Sequence, residues 1–447
     1  MEHLFSNKDL KKLLIPIVVE QLLNSLMGTV DTVMVSNVGS AAISAVSLVD
    51  SINVLMIQAF AALAAGGTIV CSHYVGSGKL KEANHSAQQL LLTVTVLSLA
   101  IMIVCQLVRN PMLSFIFGRI EDDVMANARI YFFYTVLSFP FIALYNAGAA
   151  IFRAQENTRL PMLISVTSNF LNIGGNAILI WGFRMGVAGA AIPTLVSRIF
   201  CAVVVLACLR RSRYQIQVRN YGQIRPDFPA IRKILSIGIP SGVENSMFQL
   251  GKLAVQSTVS TLGTTAIAAQ AMTNILEGLN GVAGMGIGIG LMTVVGECLG
   301  AGRKDEAVYY IKKLSLVAEV AIAASCLLVL ALTKPVTWIG GMEPASASLC
   351  FQMMIAITVV KPLLWVLSFV PGYGMRAAGD VRFSMILACG SMWTFRVVTC
   401  VILCRYLGFG PMGVWIAMFL DWGFRALCYS LRFHSRRWLM HKVIDKD

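Results

Sequence analysis

The sequence predicts an all-α polytopic membrane protein, with twelve transmembrane helices in two pseudo-symmetric six-helix bundles around a central cleft. Three observations predict it. The chain is 57% hydrophobic and only 13% charged, with a mean hydropathy of +0.73, where soluble domains carry roughly a quarter charged residues. Its apolar residues gather into twelve stretches, each near the ~20 residues that cross a hydrocarbon core. The sequence also repeats itself at half its length, the mark of a duplicated bundle.

In chain order the spans read 12–36, 43–75, 84–108, 124–152, 160–182 and 187–211, then 233–261, 266–299, 306–332, 346–376, 382–404 and 411–434. The opening MEHLFSNKDLKK is charged and leads into an apolar run too long for a signal-peptide core, so it reads as an uncleaved first helix. The expected organisation is an N-terminal lobe at 1–211, a cytoplasmic linker at 212–232, a C-terminal lobe at 233–434 and a basic cytoplasmic tail at 435–447.

Orientation follows from the basic residues, because Lys and Arg in short loops stay on the cytoplasmic side. One set of loops holds Lys8, Lys11 and Lys12, Lys79 and Lys81, Arg153 and Arg159, the run from Arg210 to Lys233, and Arg303 and Lys304. The other holds only Arg109, Arg119, Arg129, Arg184, Lys334 and Arg405. Both termini are therefore expected in the cytoplasm, with the chain in the plasma (inner) membrane. The net charge of +14 is then a topology signal, and no nucleic-acid partner is expected. The eleven cysteines show neither a CxxC pair nor metal-ligand spacing and read as packing residues.

Sliding the chain by 224 residues (240 − 16) aligns Pro16 with Pro240, Glu20 with Glu244, Gly39 with Gly263, Gly78 with Gly302, and Gly186 with Gly410. YVGSGKLKEA from Tyr74 meets CLGAGRKDEA from Cys298, and one residue out of register RAQENTRLPM from Arg153 meets RAAGDVRFSM from Arg376. Six spans per half is an even number, so the repeats run parallel about an axis along the membrane normal. Two such bundles enclose a cleft that rocking opens to either side, which is transporter geometry.

A charge at mid-bilayer costs about 2.5–3.5 kcal/mol on insertion scales, so intramembrane polar residues mark cavities or ion paths. In the first span Glu20, Asn24 and Asp31 lie within about 40° of one face, and Pro16, one turn earlier, gives the helix a place to bend. Asn169, Asn172 and Asn176 form a stripe on the fifth span. If that stripe meets Asp31, one carboxylate and amide oxygens offer a site for H⁺ or Na⁺. In the second half Glu244 and Lys252 are expected to neutralise one another. Asp50 and Asn53 match Asn274 and Glu277 at the same offset of 224 and are expected to face the cleft. Lys361 and Arg396 are further intramembrane cations, and Asp421 with Arg425 reads as a structural i,i+4 pair.

VDTVMVSNVGSAAISAVS from Val30, the GSGK and GAGR loops, LNIGGNAILIWG from Leu171 and GVAGAAIPTLVS from Gly186 together resemble the multidrug and toxic compound extrusion (MATE) transporters, over essentially the whole chain. The resemblance implies two six-helix lobes and export of amphipathic, often cationic compounds in exchange for H⁺ or Na⁺. It implies a cation site at Asp31, Asn172 and Thr194, with Pro16 as the bend. Asn176 departs from the pattern, standing where many members have an aspartate. In the C-terminal lobe Glu244 lies a turn early and the tenth span offers Lys361 in place of a carboxylate, so no second Na⁺ site is carried over.

The expectation is a monomeric antiporter that exports small amphipathic cationic organic compounds through the lipid bilayer by alternating access. It would need no cofactor beyond its coupling ion, H⁺ or Na⁺, and no metal beyond a Na⁺ at Asp31. A flippase for lipid-linked saccharides would need a basic cleft, for which Lys252, Lys361 and Arg396 are candidates. A channel or non-transporting scaffold would show neither accumulation nor saturation. No nucleophile–base pair, metal cluster or phosphate loop points to an enzyme.

Overall fold

The computed structural model describes residues 2–211 and 213–445, and among these the regular structure is helical, with no strand. Met1, Ser212 at the head of the expected linker, and Lys446 and Asp447 at the end of the tail lie outside the described residues.

Each expected span falls on a helix. The first half comprises Asn7–Ser36, Ser40–Gly76, Leu80–Leu107, Asp122–Leu137 with Phe139–Ala154, Arg159–Asn176 continued by Ala177–Gly182, and Ala188–Leu209. The second comprises Phe228–Val259, Thr264–Asn280 with Val282–Gly300, Lys304–Ile339, Pro344–Ala377, Val381–Ser391 continued to Tyr406, and Met412–Ser435. Among the described residues, nine of these are long and apolar enough to cross a bilayer, or ten if the bent pair is one span. Phe228–Val259 and Met412–Ser435 fall short because polar residues such as Glu244, Gln249, Asp421 and Arg425 interrupt them.

The repeat holds at the level of the backbone. Helix starts at Ser40 and Thr264, Leu80 and Lys304, and Ala188 and Met412 are each 224 apart, while Asp122 and Pro344, and Arg159 and Val381, are 222 apart. Left-handed glycines recur in the same register, Gly39 with Gly263 and Gly78 with Gly302, at φ of +140° and +98°, and +78° and +75°. A side chain there would strain the turn that reverses the chain between spans.

Two breaks have local causes. The fourth span bends by 41° at Ser138, where Pro140 lacks the N–H that would continue the helical ladder. The eighth span breaks at Gly281, where an added Cβ would sit 2.9 Å from the Lys361 ammonium. The fifth and eleventh spans both widen into π-helical stretches, Ala177–Gly182, Met392–Val398 and Ile402–Tyr406. Such bulges recur at functional sites.

The chain forms two compact units, one of Leu23–Gly242 and one of Met1–Leu22 with Val243–Asp447. In the first, Gly66 and Gly238 let two backbones approach so closely that a Cβ on Gly66 would lie 2.9 Å from the Gly238 amide nitrogen. The segment after Leu209 is pinned to this unit. Val218 N–H donates to the Leu209 carbonyl at 2.9 Å, Ile216 N–H to Gln155 at 3.1 Å, Gln217 N–H to Asn84 at 3.1 Å, and Gln89 donates to the Arg225 carbonyl at 2.8 Å.

In the second unit, Gly286 and Gly290 admit Val18 and Ile17 at their surface. The chain start is tied down by the Phe5 N–H, which donates to the Tyr310 hydroxyl at 2.8 Å. The tail is docked too. Trp438 is fully buried against Phe433, and Asp380 accepts from Arg432 at 2.8 Å and meets His441 at 3.2 Å.

Candidate functional site

Within Leu23–Gly242 the asparagine stripe lies against the C-terminal part of the first helix. Asn172 Nδ2 donates to both carboxylate oxygens of Asp31, at 3.1 and 2.8 Å. Asn176 Nδ2 donates to Asp31 Oδ1 at 2.6 Å. Two turns earlier on the first helix, Asn24 Oδ1 accepts from Ser165 Oγ at 2.8 Å and from Asn169 Nδ2 at 3.0 Å. The i, i+3 and i+7 spacing delivers all three amides because those positions share one helix face.

Thr194 stands behind this pair. Its hydroxyl lies 3.5 Å from Asn172 Oδ1 and donates at better distance, 3.1 Å, to the Ala190 carbonyl. Asn176 is 1% exposed, and its Oδ1 is a buried acceptor with no donor. A buried acceptor left unmatched costs about 1–3 kcal/mol. Asp31 is thus a partly buried carboxylate whose hydrogen-bond donors are all neutral amides, with an unmatched oxygen beside it. Carboxylate and amide oxygens suit a proton or a hard cation.

Deeper in the same unit, Asp50 Oδ1 accepts from the Tyr131 hydroxyl at 3.1 Å and from Asn53 Nδ2 at 3.4 Å. Arg198 donates to Ser138 Oγ at 2.6 Å, at the bend of the fourth span. Sequence reasoning did not find Tyr131, which has no spacing relation to Asp50. Glu20 is buried but belongs to the other unit, as does Pro16. The face counted along the first helix is therefore divided, with Asn24 and Asp31 in one unit and Glu20 in the other.

The second unit corrects the expected Glu244–Lys252 pair. Glu244 has Arg376 as its basic neighbour, 4.0 Å away, and the Lys252 ammonium stands 4.9 Å from the Phe248 ring centroid. The distance along a helix was right, but each side chain found a partner elsewhere. Glu277 instead pairs with Lys361. The Lys361 ammonium, fully buried, donates to Glu277 Oε1 at 2.7 Å, to the Glu277 carbonyl at 3.0 Å and to Asn280 Oδ1 at 2.5 Å. Three oxygens surround one tethered cation, and Gly281 leaves the room for it. Asn274 is exposed and accepts from Gln270 Nε2 at 3.2 Å. Asp421 pairs with Arg425 at 2.9 Å as expected, and also with Arg396 at 2.8 Å. Arg396 lies in the π-helical stretch of the eleventh span, while Asn176 directly precedes that of the fifth.

Comparison with known proteins gives concordant matches. A family model described as MatE matches residues 16–178 and again 240–402, two segments 224 residues apart. An uncharacterized transporter, YisQ of Bacillus subtilis (strain 168), is 28% identical over 434 residues, covering 95% of this chain and 93% of its own. A probable multidrug resistance protein, NorM of Thermotoga maritima, is 26% identical over 447 residues, covering 98% of this chain and 95% of its own. The crystal structure of a MATE protein in complex with MaL6 superposes with a TM-score of 0.86 at 21% identity, covering 96% of both chains. The fold is accordingly the twelve-helix, two-lobe architecture of those structures.

Proposed function

The chain belongs to the MATE family of multidrug extrusion transporters, and from that premise we propose that it is a cation-coupled antiporter whose coupling ion, H⁺ or Na⁺, is held at Asp31. The observation that carries this reading is the Asp31 environment: a carboxylate held by Asn172 and Asn176 amides beside the unmatched buried oxygen of Asn176. A cation entering there meets one buried acceptor, Asn176 Oδ1, that the protein leaves unmatched.

In the proposed cycle, cargo binds while Asp31 is empty, and refilling from outside bends the first helix near Pro16 and releases the cargo. Inward movement of one cation supplies about 2.3 kcal/mol per 100 mV of membrane potential. The cargo is a small amphipathic organic compound. A cationic part of it, which the family resemblance implies, has its counter-charge in Asp31 and Asp50. The protein acts as a monomer in the plasma membrane with both termini cytoplasmic, a placement supported by the basic loops.

The test is efflux of ethidium from cells expressing the wild type or Asp31→Asn, with the Na⁺ gradient and then the pH gradient collapsed in turn. Wild-type efflux, loss in the variant, and arrest by one of the two collapses are expected. Unchanged efflux in Asp31→Asn would remove Asp31 from coupling.

A further inference from the structure

We propose that the unit of Met1–Leu22 with Val243–Asp447 holds a binding site for an anionic group of the cargo, formed by Lys252 and Arg396 around the Phe248 ring. It rests on the reading of the chain as an exporter and deepens it by naming a charge the cargo carries.

Around Phe248 and Glu277 this unit gathers four cations, Lys252, Lys361, Arg396 and Arg425, and two carboxylates, Glu277 and Asp421, an excess of two positive charges (4 − 2). Glu277 is spent on Lys361 at 2.7 Å. Asp421 is shared by Arg396 at 2.8 Å and Arg425 at 2.9 Å. Lys252 has no ion pair among the described residues. Elsewhere in the unit Asp380 takes Arg432 and Glu244 has Arg376, so neither offsets the excess.

Geometry concentrates it on one ring. The Lys252 ammonium, the Arg396 guanidinium and the Arg425 guanidinium stand 4.9, 5.1 and 5.9 Å from the Phe248 centroid. A ring quadrupole attracts cations, but it supplies no full negative charge to offset three of them. Arg396 is 2% exposed, and its Nε–H is a buried donor without an acceptor. Asn280 Nδ2, beside Lys361, is a second such donor. Uncompensated charge and idle donors in a low-dielectric interior are costly, and an anion removes both defects. Lys252 is exposed, so the cluster has an open edge through which a ligand enters. The chemistry that fits is a carboxylate or phosphate ester on an amphipathic molecule, taking the ammonium of Lys252 and the Nε–H of Arg396.

The experiment uses the full chain purified in detergent, with carboxyfluorescein as the anionic probe and fluorescence anisotropy as the readout. Wild type is expected to bind the dye, more weakly as salt rises. Lys252→Gln, an exposed and therefore fold-tolerant change, should weaken binding about tenfold, about 1.4 kcal/mol. Lys252→Arg should restore it. Displacement by dihexanoyl phosphatidic acid at lower concentration than by benzoate assigns the site to a lipid headgroup; the reverse order assigns it to a free organic acid. No dye binding, or binding unchanged in Lys252→Gln, overturns the proposal. Absent dye binding with Asp31-dependent ethidium efflux defeats this site alone. Dye binding with no efflux defeats the exporter reading instead.

Discussion

Replacing Asn176 by aspartate tests the Asp31 site at its nearest neighbour. Asn176 Nδ2 lies 2.6 Å from Asp31 Oδ1, so Asn176→Asp substitutes a carboxylate for a donor at the same place and sets two like charges about 4 Å apart. At an effective dielectric of about 20 their repulsion is about 4 kcal/mol, and the lost hydrogen bond to a charged group adds about 1.5–3 kcal/mol. A bound proton or Na⁺ relieves both. Every 1.4 kcal/mol is tenfold in affinity, so cation affinity should rise by about four to five orders of magnitude. Thermal unfolding of the purified variant, titrated with NaCl, choline chloride and pH, is the assay. The variant should be less stable than wild type in choline at high pH and recover on adding Na⁺ or protons. A variant as stable as wild type in choline at high pH, with no response to either cation, would mean that the two side chains do not share a site.

Three further outcomes are expected. Lys361→Met leaves Glu277 buried without its counter-charge and should cost about 3–5 kcal/mol, measured as loss of melting temperature; a loss under about 1 kcal/mol would contradict the observed ammonium contacts. Asp227 is held below the ordinary carboxylate value of 3.8, first by its hydrogen bond with His85 and with help from the Ala230 amide. A lowered acid contributes stability that is complete above its unfolded value and lost as pH falls through its folded one. Protection of the 213–227 segment in hydrogen exchange should therefore fall on acidification below about pH 4, and His85→Ala should make that fall smaller. Finally, Gly66→Ala drives a Cβ to 2.9 Å from the backbone nitrogen of Gly238 and should cost about 1–3 kcal/mol. At Gly28 a Cβ meets nothing within 4 Å, so Gly28→Ala should not destabilise.

Much of the architecture is readable from composition and repeat, because a bilayer forces backbone groups into helices and a duplication copies turn positions as well as apolar stretches. The Gly39–Gly263 register and the helix starts at Ser40 and Thr264 follow from it. The asparagine stripe was readable for a similar reason, since i, i+3 and i+7 define a face without knowledge of any neighbour. Partners across helices were not readable. Glu244 and Lys252 are close along one helix, yet Arg376 and Phe248 are what they meet, and nothing in a single chain marks a residue 132 positions away. Asn280 was more accessible: it lies one turn after Glu277 and shares its face, so a search for oxygens near a buried lysine finds it. The divided face of the first helix escaped because counting 100° per residue assigns directions about an axis and cannot say which neighbours pack along its length.

The membership of the two units bears on where the chain can be divided. Residues 7–22 sit in the unit built mostly from the second half, and residues 228–242 in the unit built from the first. Cutting the chain at residue 212 therefore does not yield two self-sufficient products: each fragment carries away the leading helical turns that complete the other's core, with Val18 against Gly286 and Leu63 against Gly238 as the seams.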